Sequence, residues 1–170
     1  IRLSLVGSEM CIRDRNITAL VVSVLSVLLS LYALRQATTK NTSDMYLFFI
    51  SQYAKEDMKL ALRKLKDIKR GVYRLEQWES DMKNNLPKAF EYDEARRLVK
   101  YFYDTLAYMK LEKLIEARFV RLICLKKGAW LYLDTVEAME KFFDSGYDKK
   151  PYAVIRDVCE NLRKEGCCPP

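Results

Sequence analysis

The sequence contains no histidine at all. This removes the Ser-His-Asp and Cys-His nucleophile systems, His-ligated zinc and the HExxH protease helix. Glycine is scarce, with five residues standing alone at Gly7, Gly71, Gly128, Gly146 and Gly166. Isolated glycines build neither a phosphate-cradling P-loop nor a dinucleotide fingerprint. Cysteine is equally thin. Cys124 and Cys159 fall in apolar helical surroundings, and Cys167 and Cys168 are adjacent near the end. Adjacent cysteines rarely bridge each other, no spaced pair resembles a disulfide framework, and a reducing compartment is the simpler account. Two thiols in a tail do not make a metal site. No catalytic, cofactor-binding or metal-ligating residue is therefore expected.

What is present is charge and apolar length. The 170 residues carry 30 Lys+Arg against 23 Asp+Glu, a formal charge of +7, and suit one domain. The string at residues 4–15, SLVGSEMCIRDR, resembles the conceptual translation of a sequencing adapter. It shows neither helical nor strand periodicity, so residues 1–15 are read as an artefactual leader and excluded from fold reasoning.

Residues 16–34, NITALVVSVLSVLLSLYAL, contain no charged side chain over 19 positions. A helix of that length spans roughly 28 Å, close to the ~30 Å hydrocarbon core, so the segment is read as a single transmembrane helix. In lipid a lone span satisfies its backbone only as a helix, which overrides the low helix propensity of its valines. Ser23, Ser26 and Ser30 are placed to bond back one turn. A cleaved signal peptide is the weaker reading, because the apolar region is long and its exit lacks a small-x-small site. Arg35 and Lys40 follow the span and favour a cytoplasmic C-terminal body at the cell membrane.

Residues 35–43 are read as a polar juxtamembrane hinge, although nothing there forbids a continuing helix. Residues 44–165 are read as a helical domain and 166–170 as a tail. Apolar residues recur at helical spacing in 55–70 (Met58, Ala61, Leu62, Leu65, Ile68). A short helix carrying Trp78 covers 75–83, and the break at 84–87 includes Pro87. The strongest signal is 93–110, with Ala95, Leu98, Val99, Phe102, Leu106 and Met109 on one stripe and Arg96, Arg97 and Lys100 elsewhere. A helix over 111–125 places Leu114, Ile115, Phe119, Leu122 and Ile123 inward. Another over 129–143 aligns Tyr132, Val136, Met139 and Phe143. The last, 152–164, buries Ile155, Val158, Cys159 and Leu162. No strand alternation competes, so the fold class is all-α: one membrane helix followed by an antiparallel bundle of five or six helices.

Lys59, Arg63, Lys66 and Arg70 form the sharpest surface feature, a basic stripe on helix 55–70. Near a bilayer such a stripe attracts anionic lipid head groups. The plainer account is a solvated face partly balanced by Glu56 and Asp57. Nucleic acid is a poor partner, because no recognisable binding motif accompanies the charge. The pairs Glu112/Glu116 and Glu137/Glu140 share helix faces, but a di-iron bundle needs Glu-x-x-His motifs beside them, so a salt-bridged surface is expected. Among the run Tyr101, Phe102, Tyr103 and Tyr108, at least Phe102 belongs to the core, and Trp130 reads as a core anchor.

The span leaving through Arg35-Gln36, the stretch from Ala95 through Phe102 to Leu106, then Leu111–Leu114, Phe119, Trp130 and Leu133, form one pattern. It resembles an uncharacterised bacterial family of small, N-terminally membrane-anchored helical proteins, a domain of unknown function. The resemblance covers most of residues 20–162 and implies no activity, cofactor or catalytic residue. The expected function is a membrane-tethered interaction or scaffold module with the lipid bilayer and an unidentified protein as partners. The alternatives are an anionic-lipid-responsive module using helix 55–70 and, behind it, an enzyme with carboxylate, Lys, Tyr or Cys chemistry.

Overall fold

The structure, a computed structural model, describes residues 4–143 and 147–167; the side chains of residues 4–21, 35 and 37–42 are outside the description. Every described element is helical. The chain divides into two compact units, residues 1–44 and 45–170.

Helix α1 is assigned Ser4–Ala54, so the backbone of 35–43 is helical and not a separate hinge. That segment has neither Gly nor Pro to stop it. In the first unit every large apolar side chain described from Val22 to Leu34 is more than half exposed. Ser26 Oγ and Ser30 Oγ donate to the carbonyls of Val22 and Ser26, each at 2.8 Å, as the spacing predicts. Part of the expected span, residues 16–21, lies outside the described side chains. Among the described residues no helix is long and apolar enough to cross a membrane.

The second unit is a helical bundle with one continuous core. Helix α2 (Glu56–Lys69) buries Met58, Ala61, Leu65 and Ile68, while Leu62 stays half-exposed. It ends in a Schellman turn: Gly71 takes φ +74°, and the Val72 N–H donates to the Asp67 carbonyl at 3.0 Å. Helix α3 (Leu75–Lys83) buries Trp78 completely, its indole N–H donating to the Ala89 carbonyl at 3.2 Å. Helix α4 (Pro87–Leu111) starts earlier than the apolar stripe suggests, because Pro87 is preorganised for a first helical turn. It packs on both α2 and α8 and forms the centre of the bundle.

The expected helix over 111–125 is broken. The Lys113 backbone adopts φ +55°, the chain turns, and α5 (Ala117–Cys124) begins only after Glu116. Ile115 and Ile123 are buried as expected; Leu114 is instead 61 % exposed and Leu122 42 %. Helix α6 (Lys127–Leu131), a π-helical turn (Tyr132–Val136) and α7 (Glu137–Phe143) follow without interruption. Counting these as one, six helices follow α1 among the described residues. Helix α8 (Lys149–Lys164) is capped by Asp148, whose carboxylate accepts from the Lys150 N–H at 2.9 Å, and buries Ile155, Val158, Cys159 and Leu162.

The second departure is charge inside the core. Arg96, placed off the apolar stripe of helix 93–110, is nonetheless 7 % exposed, and Asp93, Glu137 and Glu140 are similarly buried. Arg96 pairs with Asp93 at 2.7 Å and with Glu140, and its guanidinium lies 4.7 Å from the Phe143 ring centre. Arg97 adds a second contact to Asp93 at 2.7 Å. Glu137 pairs with Arg156 and accepts from the Tyr147 hydroxyl. These carboxylates are neither solvated nor surface-bridged as expected. Glu137 and Glu140 lie in α7 among buried neighbours on several sides, with Val136 and Met139 enclosed as well, so their positions offer no solvent-facing side.

Candidate functional site

The basic stripe and the bundle meet in a groove of about 940 Å³. Helix α2 supplies Lys59, Leu62, Arg63, Lys66 and Lys69, and Arg70 follows at its cap. Lys127, Gly128, Trp130 and Leu131 of α6 form the facing wall, Tyr53 closes one side, and Arg163 reaches in from α8. All four residues singled out from the sequence, Lys59, Arg63, Lys66 and Arg70, line this single cavity.

The groove exists because the amphipathic α2 uses its other face for the core. With Met58, Ala61, Leu65 and Ile68 turned into the bundle, positions 59, 63, 66 and 70 lie together beside it. The facing wall depends on Gly128. The Tyr53 hydroxyl accepts from the Gly128 N–H at 3.2 Å, and a Cβ on Gly128 would come within 2.7 Å of the Tyr103 hydroxyl and 2.9 Å of that of Tyr53. Burial pushes the Tyr53 phenol pKa up, opposed by the Gly128 N–H, so the hydroxyl is neutral and acts as an acceptor here.

Charge in the groove is unevenly neutralised. Lys59 pairs with Glu56 at 3.2 Å and Lys69 with Asp134 at 2.5 Å. Arg63, Lys66, Arg70, Lys127 and Arg163 line the same cavity and have no ion-pair partner among the described residues. Asp57, expected to balance the stripe, faces a different cavity with Leu60 and Glu91. A solvated helix face normally interleaves its charges with opposite ones. Here five cations converge over Leu62, Trp130 and Leu131 with no carboxylate in the lining. Such a set attracts anions, and the partly apolar walls beside it focus that attraction relative to a flat polar surface.

Trp130 is half-buried and faces the groove instead of serving only as a core anchor. Lys127 and Arg163 were not identifiable from local pattern. The only hint was the gap between the expected helices 111–125 and 129–143, where Gly128 stands near Trp130. The other candidates separate from the groove. Glu116 pairs with Arg118 at 2.6 Å on the surface, as expected. Cys124 and Cys159 are buried, Cys167 is exposed, and Cys168 lies outside the described residues. Among the described residues no group of three or more His, Cys, Asp or Glu is placed to hold a metal ion.

Comparison with protein-family models, with curated proteins and with solved structures gives no match.

Proposed function

We propose that the chain is a membrane-tethered helical binding module that engages anionic groups through the α2–α6–α8 groove. The observation that carries this reading is the convergence of Arg63, Lys66, Arg70, Lys127 and Arg163, without ion-pair partners among the described residues, on one cavity with no acidic lining. Binding is the reading this lining supports, because it brings these cations and apolar groups together in one space.

The tether in this reading is the uncharged run of 19 residues at 16–34. Its described part carries large apolar side chains that are all more than half exposed, a surface that calls for cover by lipid or protein. Arg35 and Lys40 then favour the body on the cytoplasmic side, where anionic head groups are abundant. Retention of the full chain in the membrane pellet after alkaline carbonate extraction tests the tether; release into the supernatant contradicts it.

The groove is tested by holding the full chain in neutral phosphatidylcholine nanodiscs and measuring its binding to vesicles with and without phosphatidylglycerol. Binding is expected only to the anionic vesicles. Each basic residue near such a surface contributes about 1 kcal/mol, so R63Q/K66Q/R70Q should weaken binding by about 3 kcal/mol, roughly a hundredfold. Equal binding by the triple variant contradicts the reading.

A further inference from the structure

We infer that the occupant of the groove is a phosphate-bearing amphiphile, a single molecule whose phosphate is held by the cations while its apolar body lies on Trp130, Leu62 and Leu131. This rests on the anion-binding reading above and adds the chemistry of the ligand to it.

Three observations carry the inference. The cavity has two kinds of lining in one space, cationic side chains and an apolar floor that includes an indole. A bare anion gains nothing from that floor, and a purely apolar ligand gains nothing from the cations. Tryptophan itself suits the boundary, being an apolar body with one polar edge. Second, no Asp, Glu, Asn, Gln, Ser or Thr lines the groove among the described residues. Sugar hydroxyls and the N–H edges of bases are donors that need acceptors once buried. Tyr53 brings the only side-chain oxygen in the lining, and one of its two lone pairs already accepts from Gly128. A nucleotide or sugar phosphate would find few side-chain acceptors for its donors in this lining. A lipid phosphate such as phosphatidic acid has no such donors in its body. Third, the volume of about 940 Å³ holds a phosphate group together with a substantial apolar portion, at the upper end of the range for small-molecule pockets.

The division of labour follows from position. Arg63, Lys66 and Arg70 lie along one stripe of α2 and supply planar guanidinium forks and a point charge to phosphate oxygens. Lys127 sits three residues before Trp130 on the facing wall, so charge and ring approach the ligand from the same helix.

The full chain in neutral phosphatidylcholine nanodiscs is titrated calorimetrically with inorganic phosphate, glycerol 3-phosphate, dibutanoyl phosphatidic acid and, as a partition control, dibutanoyl phosphatidylcholine. Dibutanoyl phosphatidic acid is expected to bind roughly 15- to 60-fold tighter than glycerol 3-phosphate, the gain from burying about two to three methylenes. Trp130→Ala should remove most of that gain and leave glycerol 3-phosphate binding nearly unchanged. Leu62→Gln, at a half-exposed position, is the second variant and should act the same way if Trp130→Ala fails to fold. Equal affinity for the two phosphates overturns the amphiphile inference and leaves the anion-binding reading standing. Failure of both phosphates to bind overturns the reading and the inference together. Long-chain phosphatidic acid placed in the nanodisc identifies the source. Competition with the soluble probe assigns the ligand to the bilayer, and its absence alongside tight probe binding assigns it to a free amphiphile.

Discussion

The Tyr132 hydroxyl donates to Asp104 Oδ1 at 2.5 Å, joining the π-helical turn to the middle of α4. Lys100 holds the other oxygen of Asp104 at 2.6 Å. The Tyr132 ring stacks between Tyr103 and Tyr152, with centroid separations of 5.1 and 4.5 Å. Burial first, and the Asp104 bond second, push the Tyr132 phenol far above its ordinary range. Tyr132→Phe keeps the stack and deletes only the bond. A hydrogen bond to a charged group contributes about 1.5–3 kcal/mol, and the remaining Lys100 contact points to the lower end. The expected outcome is a lower urea midpoint with an unchanged slope.

Arg96 stands between two buried carboxylates, Asp93 and Glu140. Removing it as Arg96→Met leaves both without their shared cation, although Asp93 keeps Arg97 and Glu140 keeps a contact with Lys100 at 3.9 Å. Breaking a buried pair from one side costs about 3–5 kcal/mol. Asp93→Asn and Glu140→Gln, added to Arg96→Met, should recover most of that loss, because no buried charge is then stranded. Thermal unfolding of the single and triple variants checks the contrast.

Tyr147 gives a pH prediction. Burial first, and then its bond to Glu137, raise its pKa from 10.0 to about 12. A raised phenol pKa stabilises the fold fully below pH of about 10, its unfolded value. That contribution fades as pH rises from there through about 12. Urea midpoints of the wild-type chain should fall over this window more steeply than those of Tyr147→Phe. Parallel curves would contradict the assignment.

Lys113 holds φ +55° at the turn after α4, a conformation that suits glycine. Relieving a left-handed residue returns about 1–2 kcal/mol, part of which is lost to the greater freedom of glycine in the unfolded chain. Lys113→Gly is expected to gain about 0.5–1 kcal/mol in chemical denaturation, and Lys113→Ala close to nothing.

The apolar periodicities of α2 and α8 were legible because each helix has one face in the core. Met58, Ala61, Leu65 and Ile68, and Ile155, Val158, Cys159 and Leu162, are all buried. The turn at Lys113 was not legible, since lysine carries no signal for positive φ. The burial of Arg96 was not legible, because polarity alone cannot reveal that Asp93 and Glu140 accompany it inward. Half of the groove was written in α2 as the spacing of Lys59, Arg63, Lys66 and Arg70. The other half comes from Lys127, Trp130 and Arg163, brought in by tertiary packing from distant positions. The π-helical turn has no marker of Gly or Pro in Tyr132–Val136.

Hydrogen–deuterium exchange on the full chain, in phosphatidylcholine nanodiscs with and without phosphatidic acid, tests the central claim most directly. The account predicts added protection in peptides covering α2 and Lys127–Leu131 when phosphatidic acid is present, abolished in R63Q/K66Q/R70Q. Unchanged exchange in both peptides, or protection that survives in the triple variant, would contradict it.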